Sequence, residues 1–215
     1  GLLDGVEAQT GAGWPHAQGD AMPLAVDFDL LRIHPLQCNQ GMGYYERWAT
    51  SIGYGRPPTL AQLDQYRMQE IAYGHSGFLG STAWSSEPLA WLEHHLTTPV
   101  SARFACAVPV SIRYQVNGKW VDSTAAAKAG VWDRVEVRYS NGLTITANNS
   151  AEPMTVNGHV LPKHGWLAQG AGVTACTALR RRGLSQSDSG VNSPLFRVDY
   201  AETESSVFAN ARNAL

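Results

Sequence analysis

The sequence predicts an α/β first half followed by an all-β second half, and three observations carry that reading. Apolar runs, loops and helical segments alternate up to about residue 104; from residue 110 the apolar period changes to two; and Asn-Gly pairs stand at 117–118, 141–142 and 157–158 between the alternating stretches.

The elements follow in order. Leu2 to Glu7 reads as a buried strand that enters a Gly-rich loop with no lead-in, so the chain is expected to be a piece of a longer one. Residues 10–22 hold four glycines, a proline, Trp14 and His16, the composition of a long surface loop suited to binding. Residues 24–33 return to strand character through Val26, Phe28, Leu30 and Leu31, and a second loop, rich in polar and aromatic groups, follows from His34 to Trp48. A helix is then expected from Thr59, which caps it after Pro57-Pro58, with Gln62 completing a capping box and Gly74 marking the end. Residues 72–80 read as a short strand or tight crossover. A second helix is expected over residues 88–95, with Pro99 beyond its end.

In the second half, Ile112, Tyr114 and Val116 lead to the first Asn-Gly turn, and Lys119-Trp120-Val121 begins the return strand. Val135, Val137 and Tyr139 precede the second turn, with Leu143, Ile145 and Ala147 after it; Met154-Thr155-Val156 and Val160-Leu161 flank the third. This pattern predicts an antiparallel sheet or sandwich. Residues 183–194 are expected to be a flexible polar insert, and the stretch from Asp199 onward a weakly determined tail. The expected domains are therefore 1–105 and 106–215.

Composition narrows the function. Lys plus Arg number 16 against 18 Asp plus Glu, a net charge of −2, so the chain lacks the electrostatic footprint of a nucleic-acid-binding protein. The one basic cluster, Arg180-Arg181-Arg182 beside Gly183, reads as a solvated turn. Cys38, Cys106 and Cys176 lack any C-x-x-C spacing, which removes the zinc-knuckle and dithiol motifs, and the small apolar neighbours of Cys106 and Cys176 suggest buried thiols. No apolar run approaches the roughly 18 residues of a membrane-spanning helix, so no membrane partner is expected.

Tyr139-Ser140-Asn141-Gly142-Leu143, continuing to Asn148, together with Leu161-Pro162-Lys163-His164-Gly165-Trp166-Leu167-Ala168, resembles the C-terminal β-domain of large (β/α)8 glycoside hydrolases. Residues 69–78 resemble the segment that enters the final barrel strand of such enzymes. The resemblance implies a partial (β/α) barrel segment over residues 1–105, lacking its earlier strands, joined to an antiparallel β-sandwich-like domain. It also implies a carbohydrate substrate, paired carboxylates, a secreted or periplasmic location, and a further polypeptide segment that completes the barrel.

On that reading the site lies at the C-terminal ends of the strands. Asp4 and Glu7 are then the catalytic acids, since glycoside hydrolysis needs two carboxyl groups flanking one bond. Asp4 before Gly5 equally suits a turn cap. Trp14, His16, Asp29, His34 and His75 are the expected substrate contacts: an aromatic face packs on a sugar ring while polar groups fix its hydroxyls. Tyr44, Tyr45 and Trp48 fit the buried face of a helix better than a binding surface. Adjacent His94 and His95 diverge by about 100° on a helix and cannot share one ion, so no metal is expected, nor any other cofactor; phosphate-loop and G-x-S-x-G motifs are absent from the sequence. Three readings stay open: a glycoside hydrolase or its C-terminal portion, a non-catalytic carbohydrate-binding module, and a structural protein completed by a partner chain.

Overall fold

A computed structural model describes residues 28–29, 60–74, 87–181 and 195–212. Within them, helices α1 (Leu60–Ala72), α2 (Glu87–Phe104) and α3 (Ser123–Ala129) accompany ten strands. The strands are β1 (Pro109–Val116), β2 (Lys119–Val121), β3 (Arg134–Tyr139), β4 (Thr144–Asn148), β5 (Met154–Val156), β6 (His159–Leu161), β7 (Gly165–Gly170), β8 (Val173–Arg181), β9 (Leu195–Thr203) and β10 (Val207–Asn210).

All described strand pairs are antiparallel. They form one sheet in the order β10-β9-β8-β7-β4-β3-β1-β2, with the β5–β6 hairpin attached through β6 to β8. This corrects the expected fold class twice. The described part is a curled antiparallel half-barrel, not a (β/α) barrel segment, and its strands make one continuous sheet rather than a sandwich of two. The physical reason lies in where the helices bury their apolar residues. Helix α1 packs on β3, β4 and β7, and α2 on β8 and β9, so both fill one face of the antiparallel sheet instead of crossing between parallel strands.

The turns explain the register. Asn117-Gly118 and Asn157-Gly158 have φ of 49° and 77°, and 47° and 78°, the paired positive values of a two-residue hairpin loop whose twist matches its strands. Asn141 accepts from the Leu143 amide through its side chain, and Gly142 takes the left-handed position. A fourth turn, Ala171-Gly172, joins β7 to β8 in the same left-handed geometry. Helix α3 follows from local signals too: Asp122 caps it by accepting from the Ala125 amide at 2.7 Å, and Gly130 ends it at φ 65°.

Period-two alternation sorts the sheet into two cores. Ile112, Tyr114, Val137, Ile145, Trp166 and Ala175 face the helices, meeting Ile71, Leu96, Val100 and Phe104 in the main cluster. On the other face, Leu167, Cys176 and Ala178 pack with Met154 and Leu161 beneath the β5–β6 hairpin. Asn148, fully buried, holds this hairpin to β4: its amide donates to the carbonyls of Glu152, Leu161 and Pro162 at 3.0–3.1 Å, and its oxygen accepts from the Ser150 amide. Gly165 is required beside it, because a Cβ there would lie 2.6 Å from Pro162 Cδ.

Several expectations change with the structure. Helix α2 continues through Pro99 to Phe104, since burial of Leu96, Val100 and Phe104 at i, i+4 and i+8 offsets the roughly 3 kcal/mol that an interior proline costs. Phe28 and Asp29 are helical rather than extended. The expected tail contains the end of β9 and all of β10. Arg180 and Arg181 end strand β8, exposed, rather than forming a turn. Cys176 is buried as expected, whereas Cys106 is exposed. The insert at 183–194 lies outside the described residues.

Gly74 closes α1 at φ 70°, and a Cβ there would overlap the hydroxyl of Tyr139, itself only 3% exposed. Gly74→Ala is therefore expected to destabilise the fold by about 2–4 kcal/mol, through left-handed strain and overpacking together. A thermal or urea midpoint equal to that of the wild type contradicts this.

Candidate functional site

Of the residues proposed from sequence, Asp4, Glu7, Trp14, His16, His34 and His75 lie outside the described residues, as do Tyr44, Tyr45 and Trp48. Asp29 is described: it is exposed, and its neighbour Phe28 packs on the main core. Among the described residues no group of three His, Cys, Asp or Glu is placed to hold a metal. His95 instead stacks between Trp91 and Phe208, with ring centroids 4.9 and 5.5 Å apart, and His94 meets it edge-on.

Two concavities on the described surface include polar side chains. The first is a cavity of about 220 Å³ between α1, α2 and the segment after β10, lined by Leu60, Leu63, Asp64, Arg67, Leu92, Asn210 and Arg212. At its floor Asp64 accepts from Arg67 (3.0 Å), Arg197 (2.6 Å) and both terminal nitrogens of Arg212 (2.7 Å each). Arg212 also grips Asp199, through Nε at 2.6 Å and Nη2 at 2.5 Å, and Thr177 and Asn210 donate to the same carboxylate. Each carboxylate thus accepts four hydrogen bonds, about as many as its lone pairs allow. Arg67 is drawn the other way by Glu93, at 2.8 and 2.5 Å.

This electrostatic arrangement decides what the acids can do. Burial pushes the Asp64 carboxyl up, but the Arg212 hydrogen bonds and the charges of Arg212, Arg67 and Arg197 outweigh it, and the net shift is downward. Burial lowers Arg212, and its bonds to Asp64 and Asp199 more than reverse that. A carboxylate held ionised, with no oxygen left over, neither donates a proton to a leaving group nor attacks a sugar carbon. The cluster fastens α1 to the sheet. Because the folded Asp64 pKa lies below its unfolded value near 3.9, its stabilising contribution is complete above that pH and is lost as pH falls through the folded value. Urea midpoints that decline below about pH 4, with the decline reduced in Asp64→Asn, are the expected result; an identical acid profile in that variant refutes it.

The second place is a cleft over the open end of the β3–β4 pair, lined by Gln69, Tyr73, Trp132, Asp133, Val135, Ala147 and Asn149 among others. The chain leaves α3 through Gly130 and reaches β3 by way of Trp132 and Asp133, while Asn149 follows β4 directly. The Asn149 amide donates to the Asp133 carbonyl at 2.7 Å, which fixes these two residues side by side. Gln69 comes from α1, whose residues from Leu63 to Ala72 are all buried, and is only 2% exposed. Neither its amide nitrogen nor its amide oxygen finds a hydrogen-bond partner among the described residues, and the same holds for Asn149 Oδ1. The free volume of the cleft is about 10 Å³, room for one water-sized group.

Orphaned buried amides cost about 1–3 kcal/mol per group, so a buried glutamine without a partner among the described residues, lining a cleft, suggests a site that a further group completes. Reading the sequence missed Gln69, Trp132, Asp133 and Asn149 as a group, because their nearness depends on how α1 lies across the sheet. Compared with protein-family models and with curated proteins, the chain matches none.

Proposed function

We propose that the chain is a carbohydrate-active protein and that its described part is a non-catalytic sugar-binding β-domain, with the cleft at Gln69, Trp132, Asp133 and Asn149 as its site. The observation that carries this reading is the Gln69 amide, donor and acceptor together, which has no partner among the described residues and lines a cleft with Trp132, Asp133 and Asn149. Sugar hydroxyls both donate and accept, so they satisfy planar amide and carboxylate side chains while an aromatic ring takes the apolar side of the pyranose. The resemblance of the 139–148 and 161–168 segments to the β-domain of glycoside hydrolases supports the same substrate class. The saturated carboxylates of Asp64 and Asp199 support a binding role over a catalytic one for this part of the chain.

The test is a calorimetric or NMR titration with soluble neutral oligosaccharides. Binding is expected for the wild type, weakened at least about tenfold in Gln69→Leu, whose fold is retained or stabilised because the substitution removes two unpaired polar groups. Equal binding by Gln69→Leu, or no binding by the wild type, overturns the proposal.

A further inference from the structure

We infer that the β5–β6 hairpin is a pH-gated flap, closed over the small outer core while His159 is neutral and opened more often once that imidazole takes up a proton. The hairpin is thinly anchored in the sheet. Each of its strands has three residues, β5 pairs with β6 alone, and β6 meets β8 through a single residue pair, Val160 with Leu179. Elements held by so few bonds open at a lower free energy than the fold as a whole. Under the hairpin lie Leu167, Cys176 and Ala178, packed against Met154 and Leu161.

Side-chain hydrogen bonds hold it at its base, at its tip and along β6. Asn148 binds the base through the carbonyls of Glu152, Leu161 and Pro162, and at the tip the Asn157 amide donates to Gln169 Oε1 at 2.8 Å. Neither of these titrates. The third joins β6 to β8, where Arg180 Nη2 stands 3.1 Å from His159 Nδ1. A guanidinium has no acceptor and keeps its charge, so Arg180 donates and Nδ1 must present a lone pair. The bond therefore requires the neutral ring with its proton on Nε2. Protonation puts an N–H and a positive charge directly against Arg180.

No carboxylate on the strands around His159 offsets that charge. Strands β5, β6 and β7 carry no charged side chain besides His159 itself, and of the charged pair on β8 Arg180 faces it while Arg181 alternates to the opposite face. Cys176 and Tyr200, the other titratable groups near Arg180, are both pushed up and stay neutral as His159 titrates, Cys176 to about 11. Burial and the Arg180 charge hold His159 below its ordinary value near 6.5. Its contribution to the closed flap is therefore complete above that value and is lost as pH falls through the folded one. Asp64 acts only below about pH 4, outside this range.

The experiment follows amide hydrogen exchange of the full chain at about pH 7.5 and about pH 5, on either side of the ordinary histidine value, corrected for the intrinsic rate at each. Protection across residues 154–161 is expected to be at least about threefold lower in acid, with that of β4 and β7 unchanged. His159→Asn supplies an amide oxygen that accepts from Arg180 and does not titrate, so its protection is expected to be equal at the two pH values; this separates His159 from the other histidines of the chain. Arg180→Met is expected to lose protection at neutral pH and to respond to acid less than the wild type. Wild-type protection that is the same at both pH values, or an equal acid loss in His159→Asn, overturns the proposal. A matching acid loss across β4 and β7 overturns the flap in favour of a general loosening. The outcome does not depend on whether the chain binds sugars.

Discussion

Replacing Arg212 by methionine is expected to lower the free energy of unfolding by about 3–5 kcal/mol, because it leaves two buried carboxylates without their shared cation. The Asp64 and Asp199 side chains are 4% and 0% exposed, and Arg212 supplies two of the four hydrogen bonds to each. Methionine keeps most of the aliphatic stem, so lost packing contributes little to the difference. Arg197→Met removes one of the four bonds to Asp64 and one to the Lys163 carbonyl from a side chain that is 27% exposed, and its effect should be clearly smaller. Urea unfolding at pH 7 measures both variants. An Arg212→Met midpoint indistinguishable from that of Arg197→Met would show that the cluster does not hold α1 to the sheet.

Trp166→Ala is expected to cost about 3–5 kcal/mol by the separate route of cavity formation. Trp166 has no exposed surface and stands between Ala147 on β4 and Thr177 on β8, facing the main core. Its small neighbours cannot collapse into the space that a missing indole leaves. Sugar affinity should be unchanged, since Trp166 does not line the cleft. Unfolding without a shift in midpoint would remove Trp166 from the core, and a parallel loss of binding would tie it to the site.

The part of the fold written in local chemistry was legible in the sequence. Asn117-Gly118, Asn141-Gly142 and Asn157-Gly158 sit where left-handed turns are required, and alternation at Val135, Val137 and Tyr139 gives the correct inner face. Asp122 and Gly130 bracket α3 with ordinary capping signals that an eye set on period two passes over. What sequence could not supply was the sheet on which α1 and α2 pack. Two helices punctuated by loops look alike whether they cross between parallel strands or lie on one face of an antiparallel sheet, and the difference is decided by burial against residues far along the chain. Pro99 shows the same limit: as a local signal it ends a helix, and tertiary burial of Val100 and Phe104 overrides it.

The candidate site was less legible for the same reason. Asp64, Gln65, Arg67, Gln69 and Glu70 make α1 polar in sequence, yet all five are buried. The partner that makes Asp64 tolerable in the interior lies 148 positions later, and Asp133 and Asn149 meet only because the β3–β4 ladder closes between them. No spacing rule links residues that far apart.

The link between Asp64 and Arg212 also sets a clock on biosynthesis. At about 5–20 residues per second, the 148 positions between them separate their synthesis by about 7–30 s. During that interval the strands from β1 to β10 are made and can begin to pair, while Asp64 has Arg67 three positions on and gains Arg197 only near the end. Pairing within the sheet can thus begin before its helix is fully secured, and the last side chain of the network to leave the ribosome completes the set around the first.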